Sequence, residues 1–374
     1  MRVKSMAVEG YGPFGSFSWN PEALTVLEGA SAAALGRALG HLLQAARGWS
    51  TLADSLATAQ DDLAASPRDE HGEGETRWWI CLGAPDDDPT GHDFTAECVI
   101  GRYEGGWEVA FERVCRSDDF VEEEIVGRQG MRTTYALPFK LRSMHDRPKR
   151  EVHTVARDMS VLGAFAPLQR DARVAPFLEA LAACGRYVPG AMTRRVDALY
   201  GGYHTRLAED GSNLVNVLAE LDVHDLLRPL VGEFLGATVE GYTGHTLGIN
   251  DAGEATLSVS TAPGEPLAVS ALPEAAWRAL TSLGLLATPI PPRWLWVEGL
   301  GKGVPEALAP RLAALAHGLA GKTQVTLWEP SRAVREHLRG LSEAAGPGER
   351  RVVEGSLRPG PDGALVLTAD ETGG

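Results

Sequence analysis

The sequence has few cysteines and no long uninterrupted hydrophobic run, and each shortage excludes a class of protein. The four cysteines among its 374 residues form no C-x-x-C pair and lie far apart, at Cys81, Cys98, Cys115 and Cys184. This spacing argues against a disulfide framework or a structural zinc site, so we expect a reducing, cytoplasmic environment. The most apolar stretch, 283–298, is broken by three prolines, and residues 1–10 lack the apolar core of a signal peptide. We therefore expect no membrane association.

Positive charge is also scarce. Lysine and arginine total 35 against 50 aspartates and glutamates, which gives a net charge of −15. Such a chain is a poor non-specific ligand for DNA or for an anionic membrane. The exception is one basic connector, formed by Lys140, Arg142, Arg147, Lys149 and Arg150. Its charges suit either nucleic-acid phosphates or an acidic partner, or simply a solvated loop, and the sequence alone leaves these alternatives open.

Familiar catalytic and metal-binding patterns are missing. The ten histidines form neither H-x-x-x-H nor H-E-x-x-H, and the sequence contains no G-x-S-x-G. These patterns place metal ligands on one helix face or a nucleophile on a tight turn. We therefore predict no metal site and no catalytic residue of these types.

The patterns that are present indicate an α/β protein. With 44% hydrophobic and 23% charged residues the chain is globular. Residues 2–9 and 24–28 are predicted strands, and 31–47 and 51–65 are predicted helices. Four β-rich runs within 76–127, separated by turn residues, predict an antiparallel unit. Residues 158–235 are predicted to be mostly helical, and 237–260 to form short strands.

The last third of the chain alternates between helices and strands. Helices are predicted at 273–286, 304–319 and 331–341, with strands at 294–297 and 324–328 between them. Two final strands, 351–355 and 364–368, flank the turn sequence PGPDG. We predict that the first and last parts of the chain form one α/β sheet, interrupted by a long insertion.

The segment LTVLEG-ASAAA-LGRAL has the layout of a phosphate-binding loop without its chemistry. Such a loop, G-x-x-x-x-G-K-[ST], uses its lysine for the β- and γ-phosphates and its hydroxyl for Mg²⁺. Here Gly29 is the first glycine, and Ser31 lies inside the loop. Ala34, Leu35 and Gly36 stand where the second glycine, the lysine and the hydroxyl belong.

This opening resembles the start of the RecF/SMC/OLD-type ATPases, an ABC-like family whose pattern includes P-L-T-V-L-x-G-x-N-G-x-G-K-S. The segment DGSNL, 210–214, is similar to a D-G-x-N-L segment of the same family. The resemblance implies an α/β fold, a P-loop NTPase-like ABC/SMC ATPase head with an inserted antiparallel β lobe and a helical subdomain. It implies a discontinuous core at 1–65 and 265–345, a β lobe at 75–135, a helical insertion at 150–235, and a C-terminal β extension and flexible tail at 346–374.

The C-terminal third is similar to the family motifs in order and spacing, but most of the diagnostic residues differ. Pro273, Glu274 and Ala275 stand at the S-D-G positions of the signature helix, where only Arg278 matches. Glu298 matches the metal-associated acid of the Walker B strand, and Gly299 stands at the catalytic glutamate. Pro330 replaces the switch histidine, and Ser331 is retained.

These substitutions predict a pseudo-ATPase without catalytic residues, metal or cofactor. We expect it to act as a scaffold or regulatory subunit through protein–protein contacts, paired with an intact ATPase, with an effector or with itself. Two alternatives stay open at this point. One is a divergent Mg-ATP enzyme that uses Lys302 or Arg37 in place of the missing lysine, and the other is a nucleic-acid-binding module that uses the basic connector. The run GLGKG, 299–303, fits either an anion-binding nest or a simple glycine turn.

Overall fold

The computed structural model describes residues 1–11, 14–29, 35–37, 40, 43, 74–83, 91–103, 106–117, 122–137, 149–192, 206–223, 228–250, 255–344, 352–359 and 365–369. They fall into two compact units, each discontinuous in sequence. The first unit comprises Met1–Pro21, Gly29–Cys184 and Ser356–Gly374, and the second comprises Glu22–Glu28 and Gly185–Gly355.

The strands are, in chain order, β1 (Arg2–Tyr11), β2 (Phe14–Trp19), β3 (Leu24–Glu28), β4 (Glu75–Gly83), β5 (Asp93–Tyr103), β6 (Gly106–Ser117), β7 (Glu122–Gln129), β8 (Arg132–Ala136), β9 (Arg150–Thr154), β10 (Cys184–Tyr187), β11 (Tyr242–Ile249), β12 (Ala255–Thr261), β13 (Leu267–Ala268), β14 (Trp294–Glu298), β15 (Gln324–Trp328), β16 (Val352–Pro359) and β17 (Leu365–Ala369). The described helices are α1 (Val161–Ala164), α2 (Ala166–Gln169), α3 (Ala175–Ala182), α4 (Leu214–Val223), α5 (Arg228–Thr238), α6 (Glu274–Leu286), α7 (Ala309–Leu319) and α8 (Arg332–Ala344).

The first unit is built on an eight-stranded sheet of order β2-β1-β4-β5-β6-β7-β8-β9. All neighbouring strands are antiparallel. Met6 and Val8, two residues apart on β1, are buried on one face, as a half-buried strand requires, and a register shift between Val3 and Ser5 allows Val3 to be buried as well. Helix α3 packs on this sheet, where the rings of Phe94 and Phe177 stack with centroids 5.5 Å apart.

A buried ion pair joins the sheet to the segment that follows β9. Arg128 on β7 donates to Glu112 on β6 at 3.1 Å, and neither side chain is more than 1% exposed. The same guanidinium donates to the carbonyls of Gly130, Ala156 and Met159. Because every donor of a buried arginine needs a partner, this network fixes the path of the chain between β9 and α1.

The second unit combines a mainly buried sheet with the helices α4 to α8 among its described residues. The order of its strands is β10-β14-β15-β3-β16, and β11-β12-β13 form a separate antiparallel sheet. Strands β3, β14 and β15 run parallel. Their sequences LTVLE, WLWVE and QVTLW are buried almost throughout, which is the pattern of parallel strands covered on both faces.

Most of the predicted elements are present at the predicted positions. The runs within 76–127 are β4 to β7, and the alternation of the last third is α6-β14-α7-β15-α8. Of the predicted helix 31–47, the described residues 35–37, 40 and 43 are helical, whereas the predicted helix 51–65 lies outside the described residues. Strands β2, β8, β9, β10 and β13 are not predicted from the sequence.

Several strands join a different sheet from the one expected. Strands β9 and β10, from the predicted helical insertion 150–235, join the antiparallel sheet and the parallel core, and β16, from the predicted C-terminal extension 346–374, joins the core. Residues 1–65 were expected to belong to the central α/β core, but β1 and β2 belong to the antiparallel sheet, where β1 pairs with β4. Only β3 from this part of the chain lies between the core strands β15 and β16. A hydrophobic pattern predicts a strand but does not say which sheet the strand joins.

The helices in the described part of the chain are too short or too polar to cross a membrane.

Candidate functional site

Three glutamates mark the carboxyl ends of the three parallel strands in the second unit. Strand β3 ends at Glu28, β14 ends at Glu298, and Glu329 directly follows β15. The registers Leu24↔Val325 and Trp294↔Gln324 bring these strand ends to the same edge of the sheet. In open α/β sheets this edge is where ligands bind, so it is the candidate functional site.

Glu298, the residue that matches the metal-associated acid, is neutralised by an arginine. Its side chain is 5% exposed and accepts a hydrogen bond from Nε of Arg186, on β10, at 2.7 Å. The indole N–H of Trp296 donates to the same carboxylate oxygen at 3.1 Å. Residues two apart on a strand share a face, so Trp296 is positioned for this bond by the strand itself. A buried carboxylate needs such partners.

Glu329 is a buried anion that the sequence analysis did not identify. It is fully inaccessible to solvent. One carboxylate oxygen accepts the backbone N–H of Gly301 at 2.8 Å, and the other accepts that of Ser331 at 2.7 Å. Burial raises the pKa of Glu329 to about 7, although the N–H groups of Ser331, Gly301 and Leu300 act in the opposite direction.

The glycine loop 299–303 contacts this carboxylate through its backbone. Gly299 has a φ of 68°, in the left-handed region that favours glycine. Its N–H donates to the carbonyl of Trp328 at 2.7 Å, and the N–H of Lys302 donates to the carbonyl of Gly299 at 3.0 Å. The N–H groups of Leu300 and Gly301 in this loop donate to the carboxylate of Glu329, so an acid of the protein itself lies where an external anion would have to bind.

The third glutamate and the start of α8 complete the edge. Glu28 forms an ion pair with Arg335 of α8. The hydroxyl of Ser331 accepts the backbone N–H of Val334 at 3.5 Å, the N-cap position of α8. Pro330, at the switch-histidine position, is exposed between Glu329 and this cap.

The signature-helix residues lie at the start of α6. Pro273 is its N-cap residue, and Glu274 and Ala275 begin the helix. Arg278, the matching residue, donates to Glu274 at 2.8 Å and to the carbonyl of Lys302 at 3.2 Å. Its guanidinium thus ties α6 to the glycine loop.

The phosphate-loop positions are described in part. Gly29 has a φ of 100°, and Leu35 and Gly36 are helical and buried, with Leu35 at 0% exposure. Ser31 and Ala34 lie outside the described residues. Leu35, which stands at the position of the phosphate-loop lysine, is therefore a core residue.

The basic connector is also described only in part. Lys149 is exposed, and Arg150 is paired with Glu124 at 2.6 Å. Lys140, Arg142 and Arg147 lie outside the described residues.

Within the DGSNL segment, Asn213 has a structural role. Its side-chain oxygen accepts the N–H of Ala208 at 2.7 Å, and its amide donates to the carbonyl of Arg206 at 3.0 Å. It therefore fixes the turn that leads into α4.

Two residues at this edge of the sheet, Glu329 and Arg186, are not identified from the sequence, for different reasons. Glu329 carries a signal, an acid directly after a buried strand, but the family pattern directs attention to its neighbours Pro330 and Ser331. Arg186 carries none, because it lies on a four-residue strand far from Glu298 in sequence. In the part of the chain that the structure describes, no three histidine, cysteine or acidic side chains form a group that could hold a metal ion.

Comparisons with known proteins show the fold. No protein-family model and no curated protein matches the sequence. Among solved structures, an SMC head bound to the C-winged helix domain of ScpA covers 99% of this chain and 98% of its own, with a TM-score of 0.54 and 10% identity. A second SMC head, with an extended coiled coil and bound to the C-terminal domain of ScpA derived from Pyrococcus furiosus, covers 98% and 96%, with a TM-score of 0.47 and 11% identity. The first likeness shows that this chain has the α/β fold of an SMC or ABC ATPase head.

Proposed function

We propose that this protein is an ATPase-like head that has lost ATP hydrolysis and acts as a scaffold or regulatory subunit through protein–protein contacts. The observation that carries the proposal is the ion pair between Glu298 and Arg186 at 2.7 Å. An acid that serves a metal ion directs its negative charge to that ion, whereas the charge of this carboxylate is already paired with Arg186 and one of its oxygens accepts two hydrogen bonds.

The charges at the edge support the same conclusion. Glu28, Glu298 and Glu329 place three carboxyl groups where a nucleotide would place its phosphates. The backbone N–H groups that could hold a phosphate are bonded to Glu329 instead. The residues present therefore do not fit a magnesium nucleotide, since its phosphates would lie against acidic side chains, two of which, Glu298 and Glu329, are buried.

The missing catalytic groups add to this argument. Loss of a general base costs about 10²- to 10⁴-fold in rate, and the position of that base is Gly299. Loss of the lysine removes a charge-assisted contact worth roughly 1.5–3 kcal/mol, and its position is the buried Leu35. Restoring any one group would leave the other losses in place.

The experiment is a phosphate-release assay on the purified full chain with Mg-ATP. We expect no release above the blank. We also expect no rise in melting temperature with millimolar Mg-ATP, whereas a ligand at a hundredfold excess over its Kd stabilises by about 2.7 kcal/mol.

A matched pair of variants makes the assay decisive. Glu298→Gln alters the buried carboxylate, and Glu306→Gln alters an exposed one after the same loop. Magnesium-dependent turnover that is lost in Glu298→Gln and retained in Glu306→Gln would mean that the protein is a divergent ATPase.

The fold supports a function that depends on protein–protein contacts. The matched SMC head was crystallised with a protein partner, the C-winged helix domain of ScpA. A head that does not turn over nucleotide still has surfaces on which a partner can assemble.

A further inference from the structure

Strand β9 (Arg150–Thr154) is the last strand of the eight-stranded sheet, and no strand in the described part of the chain lies beyond it. The opposite end of the sheet differs, because β17 lies against β2. Natural proteins protect exposed sheet edges with short strands, charged side chains, proline or a bulge. Strand β9 is short, but it has no proline, its register with β8 is uninterrupted, and its arginine, Arg150, is paired with Glu124 of the same sheet.

The hydrogen-bond pattern defines which backbone groups of β9 face outward. The carbonyl of Lys149 accepts from Leu137, and the N–H of Val155 donates to Met131, so odd-numbered residues bond towards β8. In an antiparallel ladder, alternate residues point their N–H and C=O to opposite sides. The backbone groups of Arg150, Val152 and Thr154 therefore point away from the sheet.

The sequence of this edge is self-complementary about Val152. If a second β9 pairs antiparallel with the first around a two-fold axis at Val152, the two Val152 residues exchange both of their backbone hydrogen bonds. Arg150 then bonds with Thr154 of the other copy. Glu151 lies opposite His153, so a carboxylate faces an imidazole, and no like charges face each other.

Three exposed apolar side chains lie near this edge, although β9 itself is otherwise polar. Val152 is 60% exposed, and Met131 and Met159 are 44% and 38% exposed. The carbonyls of Gly130 and Met159 both bond to Arg128, so these two methionines lie on neighbouring segments next to the end of β9. Three of the four large hydrophobic side chains that are exposed among the described residues are thus at one corner of the first unit.

We propose that β9 is a homodimerisation edge, where a second copy of this chain adds its own β9 antiparallel about Val152 and continues the eight-stranded sheet into the partner. A second copy of the chain would be a partner for the proposed scaffold, and the biological use of the dimer rests on that proposed function. The test below measures molar mass and not ATP turnover, so a negative result would overturn the dimer without affecting the proposed loss of ATP hydrolysis. A five-residue ribbon with its flanking side chains is smaller than a standard interface of about 1,600 Å², so we expect a reversible dimer.

The experiment measures molar mass by light scattering over a range of protein concentrations. The full chain has a mass of 39.9 kDa, and we expect it to approach twice this value as concentration rises. Val152→Pro removes only an N–H that β8 does not use, and proline is tolerated on the open side of an edge strand. Val152→Lys places two positive charges against each other at the two-fold axis. Both variants should remain monomeric.

The matched control is Ile290→Lys, which changes an aliphatic residue of equal exposure, 62%, in the second unit. It should dimerise like the original protein, and circular dichroism should show all three variants folded. A protein that stays monomeric at every concentration would overturn the proposal. So would a dimer that both Val152 variants leave intact, because that dimer would use another surface.

Discussion

The three strand-end glutamates have three kinds of partner, and their energetic roles differ accordingly. Glu28 is 43% exposed in its pair with Arg335, so water screens most of that interaction. Glu298 is buried against Arg186, and removing one member of such a pair typically costs about 3–5 kcal/mol, because the other charge stays buried. Glu329 has backbone N–H groups as its partners, and these do not offset the cost of its burial, so its pKa is raised.

Glu329 makes stability depend on pH. Its pKa rises from an ordinary 4.5 to about 7 in the folded protein, so the folded state holds a proton that the unfolded state releases. The stabilisation is complete below about pH 4.5 and is lost as pH rises through about 7. We expect the free energy of unfolding to fall by at most about 1.4 kcal/mol per pH unit in this window.

Urea unfolding at several pH values checks this prediction. Glu329→Gln cannot titrate, so its unfolding free energy should change less between pH 5 and pH 8 than that of the original protein. Glu343→Gln, at an exposed position of α8, is the control and should retain the original slope. Parallel pH profiles for the original protein and Glu329→Gln would contradict the assignment.

At the scale of elements, the glycine loop packs against α8 only because Gly301 has no side chain. A Cβ on Gly301 would lie 2.7 Å from Cγ2 of Val334 and 2.9 Å from Cβ of Ser331. Gly301→Ala should therefore lower the unfolding free energy by about 1–3 kcal/mol, the usual effect of overpacking a core.

Gly340→Ala is the matched control for this prediction, because it lies in α8 and a Cβ there meets nothing within 4 Å. Replacing an exposed helical glycine by alanine stabilises by roughly 0.5–1 kcal/mol. Denaturation midpoints should thus move in opposite directions for the two variants. If both variants were stabilised, the loop would not pack on α8 as described.

The elements that could be predicted from the sequence are those with strong periodicity or continuous burial. The apolar runs WLWV and QVTLW predict β14 and β15, and spacing predicts α6, α7 and α8. Strand β9, with the sequence REVHT, is polar and exposed, so no hydrophobic pattern identifies it. Strand β2 contains a glycine and two serines, which weaken the strand signal.

The candidate site could be predicted in position but not in its chemistry. The family pattern locates Glu298, Gly299 and Ser331 at one sheet edge because motif order follows strand order. It does not predict that Arg186 neutralises Glu298, since β10 joins the sheet from a distant part of the chain. Burial of Glu329 depends on the loop after β14, which only the folded arrangement brings to it.

At the scale of the whole molecule, net charge opposes nucleic-acid binding. The chain carries a net charge of −15, and Arg150 of the basic connector is already paired with Glu124. We expect duplex DNA to bind weakly at physiological salt, and the double variant Lys149→Glu, Arg150→Glu to bind no differently. Fluorescence anisotropy across a salt series measures this.

The control for the DNA measurement is Lys302→Glu, an exposed lysine in the other unit. Tight binding that falls steeply with salt and is lost only in the double variant would contradict the expectation and assign the connector to DNA contact.

Strand β3 pairs with β15, which lies about 300 residues later in the chain. During synthesis, β3 therefore leaves the ribosome long before its neighbour β15 is made. The parallel core cannot assemble until β15 has been translated, and contacts of such long sequence separation also slow refolding. The antiparallel hairpins from β4 to β8 have local partners and can form while the rest of the polypeptide is still being made.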